Sequence, residues 1–106
     1  MDELMDFAAD ITMEGDDLVI TLGGELDIAT APELALVVAA AVDKEPPRLV
    51  LDLCDLRFID STGLAVILKA RESLPTASAM VLRRPQPNVL RVFTITGLDG
   101  QLVIEE

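Results

Sequence analysis

Asp60, Ser61, Thr62 and Gly63 are the residues of this chain best placed to do chemistry. They stand where an apolar, strand-like run (Leu49 to Leu53, then a short turn) gives way to a new apolar helical run. The first N–H groups of a helix have no partner within it and carry a partial positive charge, so a negative group beside them is stabilised. A phosphate can therefore be added to the Ser61 hydroxyl without breaking the fold, which makes Ser61 a candidate switch. Ordinary capping accounts for the same four residues: Asp, Ser and Thr side chains satisfy helix N–H groups, and Gly63 permits close packing. Asp27 reads similarly, as a loop carboxylate capping its own backbone.

Other chemistry is poorly provided for. The chain has no His, so the usual general base and metal ligand are missing, and a Ser–His–acid triad is impossible. One Cys without His excludes the ordinary zinc patterns. Gly23-Gly24 lacks the spacing of a phosphate-binding loop and the Lys-Ser/Thr that follows one. Nineteen Asp and Glu in 106 residues make chance carboxylate pairs common, so a glycosidase-like pair carries little weight. Lys69 could serve Ser61 as a base only across eight helical residues, roughly 12 Å of rise and too far for a hydrogen bond. The expected protein is not an enzyme and holds no metal or cofactor.

The bulk numbers agree with one small domain, residues 1–106, with a single core. That core must be aliphatic, because there are three Phe and no Trp or Tyr. No apolar run reaches the roughly 18 residues of a membrane span, and the acidic start Met1-Asp-Glu-Leu-Met-Asp is unlike a basic secretory signal. The lone Cys54 points to a reducing, cytoplasmic setting. The net charge is −11, and eleven carboxylates precede the first cation, Lys44. Such a polyanion repels nucleic acid and anionic lipid, so neither is an expected partner. The acidity either keeps the domain solvated or steers in a basic protein.

Periodicity supplies the elements that must hold Ser61. Phe7, Ala9, Ile11 and Met13 alternate as a half-buried strand, Glu14-Gly-Asp-Asp17 turns, and Leu18 to Leu22 returns as a hairpin partner. Gly23 to Ala29 reads as irregular. Thr30 is placed to cap a first helix, with Glu33 closing a capping box and Pro32 in the first turn. Leu34, Val37, Val38 and Ala41 form its buried stripe. Leu36, Ala39 and Ala40 lie off that stripe, which implies cover all round or an exposed interface, cover being the expectation. Glu45-Pro-Pro47 stops the helix, and Arg48 to Leu53 is a central strand. A second helix spans about Thr62 to Ser73, and Ser78 to Leu82 is a strand. Pro87 opens a third helix ending at Gly97, and Gln101 to Ile104 is a last strand. The order β-β-α-β-α-β-α-β implies an α/β domain with a mixed sheet.

Taken together, Gly24-Glu-Leu-Asp-Ile-Ala-Thr-Ala-Pro-Glu-Leu34 and Leu51-Asp-Leu-Cys-Asp-Leu-Arg-Phe-Ile-Asp-Ser-Thr-Gly-Leu64 resemble the two signature blocks of the STAS domain family. Within it they are most similar to the stand-alone anti-sigma factor antagonists, and the ending Thr96-Gly-Leu98 fits the same pattern. The resemblance implies helices largely on one face of the sheet. It also implies an unmodified antagonist that binds an anti-sigma factor serine kinase and so frees a sigma factor. That kinase would use ATP and Mg²⁺ to phosphorylate Ser61, switching binding off, and a serine phosphatase would reset it. Asp60, Thr62 and Gly63 would surround the acceptor, Asp27 would help dock the kinase, and Thr30 would join the partner-binding set. Two departures, residues 75 to 79 and the helix entry Arg83-Arg-Pro-Gln-Pro87, are expected not to touch the site. Two rivals stand beside this reading: a STAS accessory or scaffold subunit of lipid-transport or stressosome type, and a small nucleotide- or ligand-binding domain.

Overall fold

The computed structural model describes residues 7–76 and 79–106. Its first element is dictated by a glycine. Gly15, at φ 63, takes the first corner of the two-residue turn Gly15-Asp16, where a tight hairpin asks for positive φ. The turn joins β1 (Ala8–Glu14) to β2 (Asp17–Leu26), antiparallel, with Ile11 opposite Ile20 and Glu14 opposite Asp17. Then come α1 (Ala31–Asp43), β3 (Leu49–Ile59), α2 (Ser61–Glu72), β4 (Met80–Arg83) and α3 (Pro87–Ile95), and a 3₁₀ turn (Leu98–Gln101) leads to β5 (Val103–Glu105). The sheet runs β1-β2-β3-β4-β5, and the pairs β2–β3, β3–β4 and β4–β5 are parallel. This is the mixed sheet, in the expected order.

Alternation along the strands sorts the side chains between two faces. On one face Leu18, Ile20 and Leu22 of β2 and Leu49, Leu51 and Leu53 of β3 meet the helices: Leu34 and Val38 of α1, Ile67 of α2, Val89 and Phe93 of α3. The other face buries a small apolar row, Val19, Val50 and Val81, side by side in register, with the buried Asp52 next to it, and none of these residues is helical. The helices therefore cover one face.

Charge brackets the valines on the open face. Arg48 pairs with Asp17 at 3.0 Å, and Arg83 spans Glu14 at 3.0 Å and Asp52 at 3.3 Å. Arg84, in the left-handed region at φ 53, also grips Asp52. Burial pushes the Asp52 carboxyl up, but the Cys54 amide and the Arg84 guanidinium outweigh it and hold the group below the usual carboxylate range. Cys54 itself is pushed up, first by its hydrogen bond with Asp52 and then by burial, so its thiol is not activated.

Several expected boundaries move, each for a physical reason. β2 does not stop at Leu22 but runs to Leu26, absorbing Gly23-Gly24 through two register shifts against β3, with Gly24 at φ 88. No turn follows Leu53. β3 continues to Ile59 with Leu56 and Ile59 buried and Asp55, Arg57 and Phe58 exposed. The expected half-buried β1 is largely open: Ile11 is 41% and Met13 59% exposed, because β1 is an edge strand beyond the reach of the helices. Leu36 is 76% exposed, so α1 is not covered all round. Met80 and Val103 begin the last two strands; the expected start at Ser78 lies outside the described residues. Gly97, at φ 77, ends α3 at the C′ position as expected.

Candidate functional site

The site is built where two strand ends release their helices side by side. β2 ends at Leu26 and β3 at Ile59, and the two are paired. The Asp60 amide then donates to the Leu26 carbonyl at 3.1 Å, and the Ile28 amide donates to the Asp60 carboxylate. The loop carrying Asp27 and Thr30 is thus stitched to the start of α2. All six residues singled out from the sequence fall in these two segments.

Asp60 is the cap of α2. With φ −117 and ψ −173 it stands just outside the helix, and its Oδ1 accepts from the Thr62 amide at 2.9 Å and the Gly63 amide at 3.2 Å. The Thr62 hydroxyl donates to the same oxygen at 2.5 Å. That hydroxyl bond, with the amide bonds added, holds the Asp60 carboxyl below its ordinary range despite some desolvation. The capping duty expected to be shared by Asp, Ser and Thr is therefore carried by Asp60, with Thr62 bracing it. Ser61 is the first helical residue, exposed, and its hydroxyl takes part in none of these bonds.

Gly63 is buried under the strand ends. A Cβ there would stand 2.4 Å from Leu26 Cγ and 3.3 Å from Ile59 Cγ1, so only glycine lets α2 start this close to the sheet. Asp27 does what the sequence suggested: its Oδ1 accepts from the Ala29 amide at 2.9 Å and the Thr30 amide at 3.2 Å. Thr30 does not. It occupies the cap position of α1, but its side chain makes no cap bond, and the expected capping box with Glu33 is absent. Its hydroxyl instead donates to the Glu25 carbonyl at 2.8 Å and accepts from the Asp27 amide at 2.9 Å, folding the loop back on the end of β2. The bulged strand end places the Glu25 carbonyl within reach, and spacing alone could not reveal that.

Three contributors were missed. Ile28, 74% exposed, sits at the crest of the loop, and its amide braces Asp60. Gln86 donates to the Cys54 carbonyl and Asn88 to the Arg57 carbonyl, each at 2.7 Å. The unusual entry to α3 thus pins the outer half of β3, the segment that delivers Ser61. The polar residues around Pro87 are visible in the sequence, but their targets are backbone carbonyls of a strand that runs past Leu53 to Ile59. Among the described residues no group of three or more His, Cys, Asp or Glu is placed to hold a metal ion. An apolar groove of about 350 Å³ between α1 and α2, lined by Val38, Val42, Val66 and Ala70, does not include Ser61. No helix among the described residues is long and apolar enough to cross a membrane.

Residues 8–106 match the STAS domain family. The chain is a STAS-domain protein. Its relatives within that family bear one name repeatedly. The anti-sigma-B factor antagonist of Listeria monocytogenes is 35% identical over 91 residues, 85% of this chain and 80% of that protein. Among solved structures, an anti-sigma factor antagonist from Mycobacterium paratuberculosis superposes with a TM-score of 0.89 at 28% identity, covering 94% of this chain and 86% of that one. The anti-sigma factor antagonist SpoIIAA in its unphosphorylated form gives 0.76 at 25% identity, over 92% and 87% of the two chains. The STAS protein described here thus shares both fold and sequence with antagonists of anti-sigma factors.

Proposed function

We propose that this STAS protein is an anti-sigma factor antagonist whose unmodified form binds an anti-sigma factor serine kinase, releasing a sigma factor, and that phosphorylation of Ser61 ends the binding. The observation that carries the proposal is the division of labour at the start of α2. Asp60 caps the helix, so the exposed Ser61 hydroxyl has no structural duty and is free to be modified. Around it, Asp60, Thr62 and Gly63 shape the acceptor, and Asp27 and Thr30 form the neighbouring wall of the docking surface. ATP and Mg²⁺ belong to the kinase, and a serine phosphatase restores the hydroxyl.

The switch works at the interface. A phosphoserine adds about −1.5 to −2 charges and three acceptor oxygens; the positive end of the helix dipole tolerates it, so the fold survives. A partner pocket shaped for a neutral hydroxyl beside Asp60 meets that charge with repulsion and desolvation cost. The test is incubation with candidate anti-sigma factor serine kinases and ATP, followed by mapping of the phosphate by mass spectrometry. Label on Ser61, and loss of kinase binding by the labelled protein with an unchanged circular dichroism spectrum, are expected. Label on another residue, or a labelled protein that binds as well as before, refutes the proposal.

A further inference from the structure

We infer that the outer edge of β1, which pairs with no other strand among the described residues, pairs with β1 of a second copy of this chain, in an antiparallel register centred on Ile11. The hairpin fixes which backbone groups are available. A two-residue loop makes Glu14 and Asp17 a hydrogen-bonded pair, so the N–H and C=O groups of Glu14, Thr12, Asp10 and Ala8 point toward β2. Those of Ala9, Ile11 and Met13 point outward, along the edge of the sheet. Ile11 and Met13 lie on the helix-bearing face, opposite the core residues Ile20 and Leu18, yet remain 41% and 59% exposed. The edge therefore offers outward backbone groups and an uncovered apolar strip on the same seven residues.

Charge selects the register. Two copies of the edge can bond only with odd-numbered residues facing odd-numbered ones. Centred on residue 10, the pairing sets Asp10 against Asp10; centred on residue 12, it sets Asp10 against Glu14. Centred on Ile11, Asp10 faces Thr12 of the second copy, Glu14 faces Ala8, and no carboxylate faces another. Ile11 then meets its own symmetry mate and Met13 meets Ala9, with about six backbone hydrogen bonds along the seam. Glu14, the other acid of the strand, is already paired with Arg83 at 3.0 Å. The result is a continuous sheet across a two-fold axis, with the helices of both copies on the same side and the two Ser61 sites at opposite ends. The association is weak, because each chain carries −11, and it strengthens as salt screens that repulsion.

Sedimentation equilibrium of the full chain, run with reductant so that Cys54 cannot cross-link, reads the proposal directly. A concentration-dependent species of twice the 11.4 kDa chain mass is expected, tighter at higher salt. Thr12→Lys sets a cation opposite Asp10 at both ends of the seam and tightens the dissociation constant roughly fivefold; Thr12→Asp loosens it by a similar factor. Thr94→Lys, the same change of net charge on an exposed residue of α3, shifts it less than half as far. Ile11→Pro removes an outward N–H, leaves the β1–β2 ladder intact and gives a monomer with unchanged circular dichroism. A wild-type chain that stays monomeric up to millimolar concentration overturns the inference. So does a dimer indifferent to both Thr12 substitutions, or an edge that accepts a strand only from a different protein.

Discussion

Gly63→Ala tests the geometry of the site at its tightest point. The new methyl would meet Leu26 Cγ at 2.4 Å and Cδ2 at 2.7 Å, against the roughly 3.5–4.0 Å at which carbon atoms rest. Leu26 is fully buried and cannot swing into solvent, and Ile59 blocks the other side at 3.3 Å. Either α2 lifts off the strand ends or Leu26 leaves its rotamer, an overpacking cost of about 1–3 kcal/mol. Alanine returns up to about 1 kcal/mol through its better helix propensity. The net expectation is a loss of about 1–2 kcal/mol, or about 5–10 °C in Tm for a domain of this size. Urea and thermal unfolding followed by circular dichroism measure it. Gly100→Ala, where an added Cβ meets nothing within 4 Å, should stay within about 0.5 kcal/mol of wild type. A Gly63→Ala protein as stable as wild type would show that the close approach of α2 to the sheet, and with it the placement of Ser61, has been misread.

Other substitutions probe neighbouring parts of the same frame. Asp60→Ala leaves the Thr62 and Gly63 amides uncapped and should cost about 1 kcal/mol in urea unfolding, whereas Asp60→Asn should recover most of it. Asp52 and Asp60 both have carboxyl pKa values lower in the folded protein than in the unfolded chain. Their contribution is therefore complete above about pH 5 and drains away as pH falls below the unfolded value of about 4; Asp52→Asn should flatten that acid limb in a pH series of urea midpoints. Glu45 holds φ 52 just beyond α1, so Glu45→Gly should raise stability by about 0.5–1 kcal/mol, and an unchanged or lower urea midpoint would count against strain there.

The sequence carried the topology and most of the site because both are local. Leu18 to Leu22, the stripe of α1, and Pro87 to Gly97 announce their elements through period and punctuation, and Asp60 through Gly63 are contiguous. What escaped depends on partners distant in sequence. The second half of β3 is polar enough to pass for a turn, and only its pairing with the bulged Gly23–Leu26 segment makes it strand. Thr30 and Glu33 have the spacing of a capping box, yet the Glu25 carbonyl captures the threonine hydroxyl first. Gln86 and Asn88 have no pattern at all until the strand they hold is known to extend to Ile59.

The placement of Asp60 also decides how a modification at Ser61 would be felt. A helix capped by the serine itself would lose its cap on phosphorylation, and the signal would pass through unfolding. Here the cap lies one residue earlier and is braced by the Thr62 hydroxyl, so the two tasks use different atoms. The price is proximity: a dianion on Ser61 would share the amides of the first turn with a carboxylate already held below its ordinary pKa. Like charges at that range disfavour one another's ionised forms. Phosphorylation of Ser61 should therefore raise the pKa of Asp60 while leaving far-UV circular dichroism unchanged, which carboxyl chemical shifts followed through acid titration would show. A lowered Asp60 pKa, or a melted α2, would mean that cap and switch are one device after all.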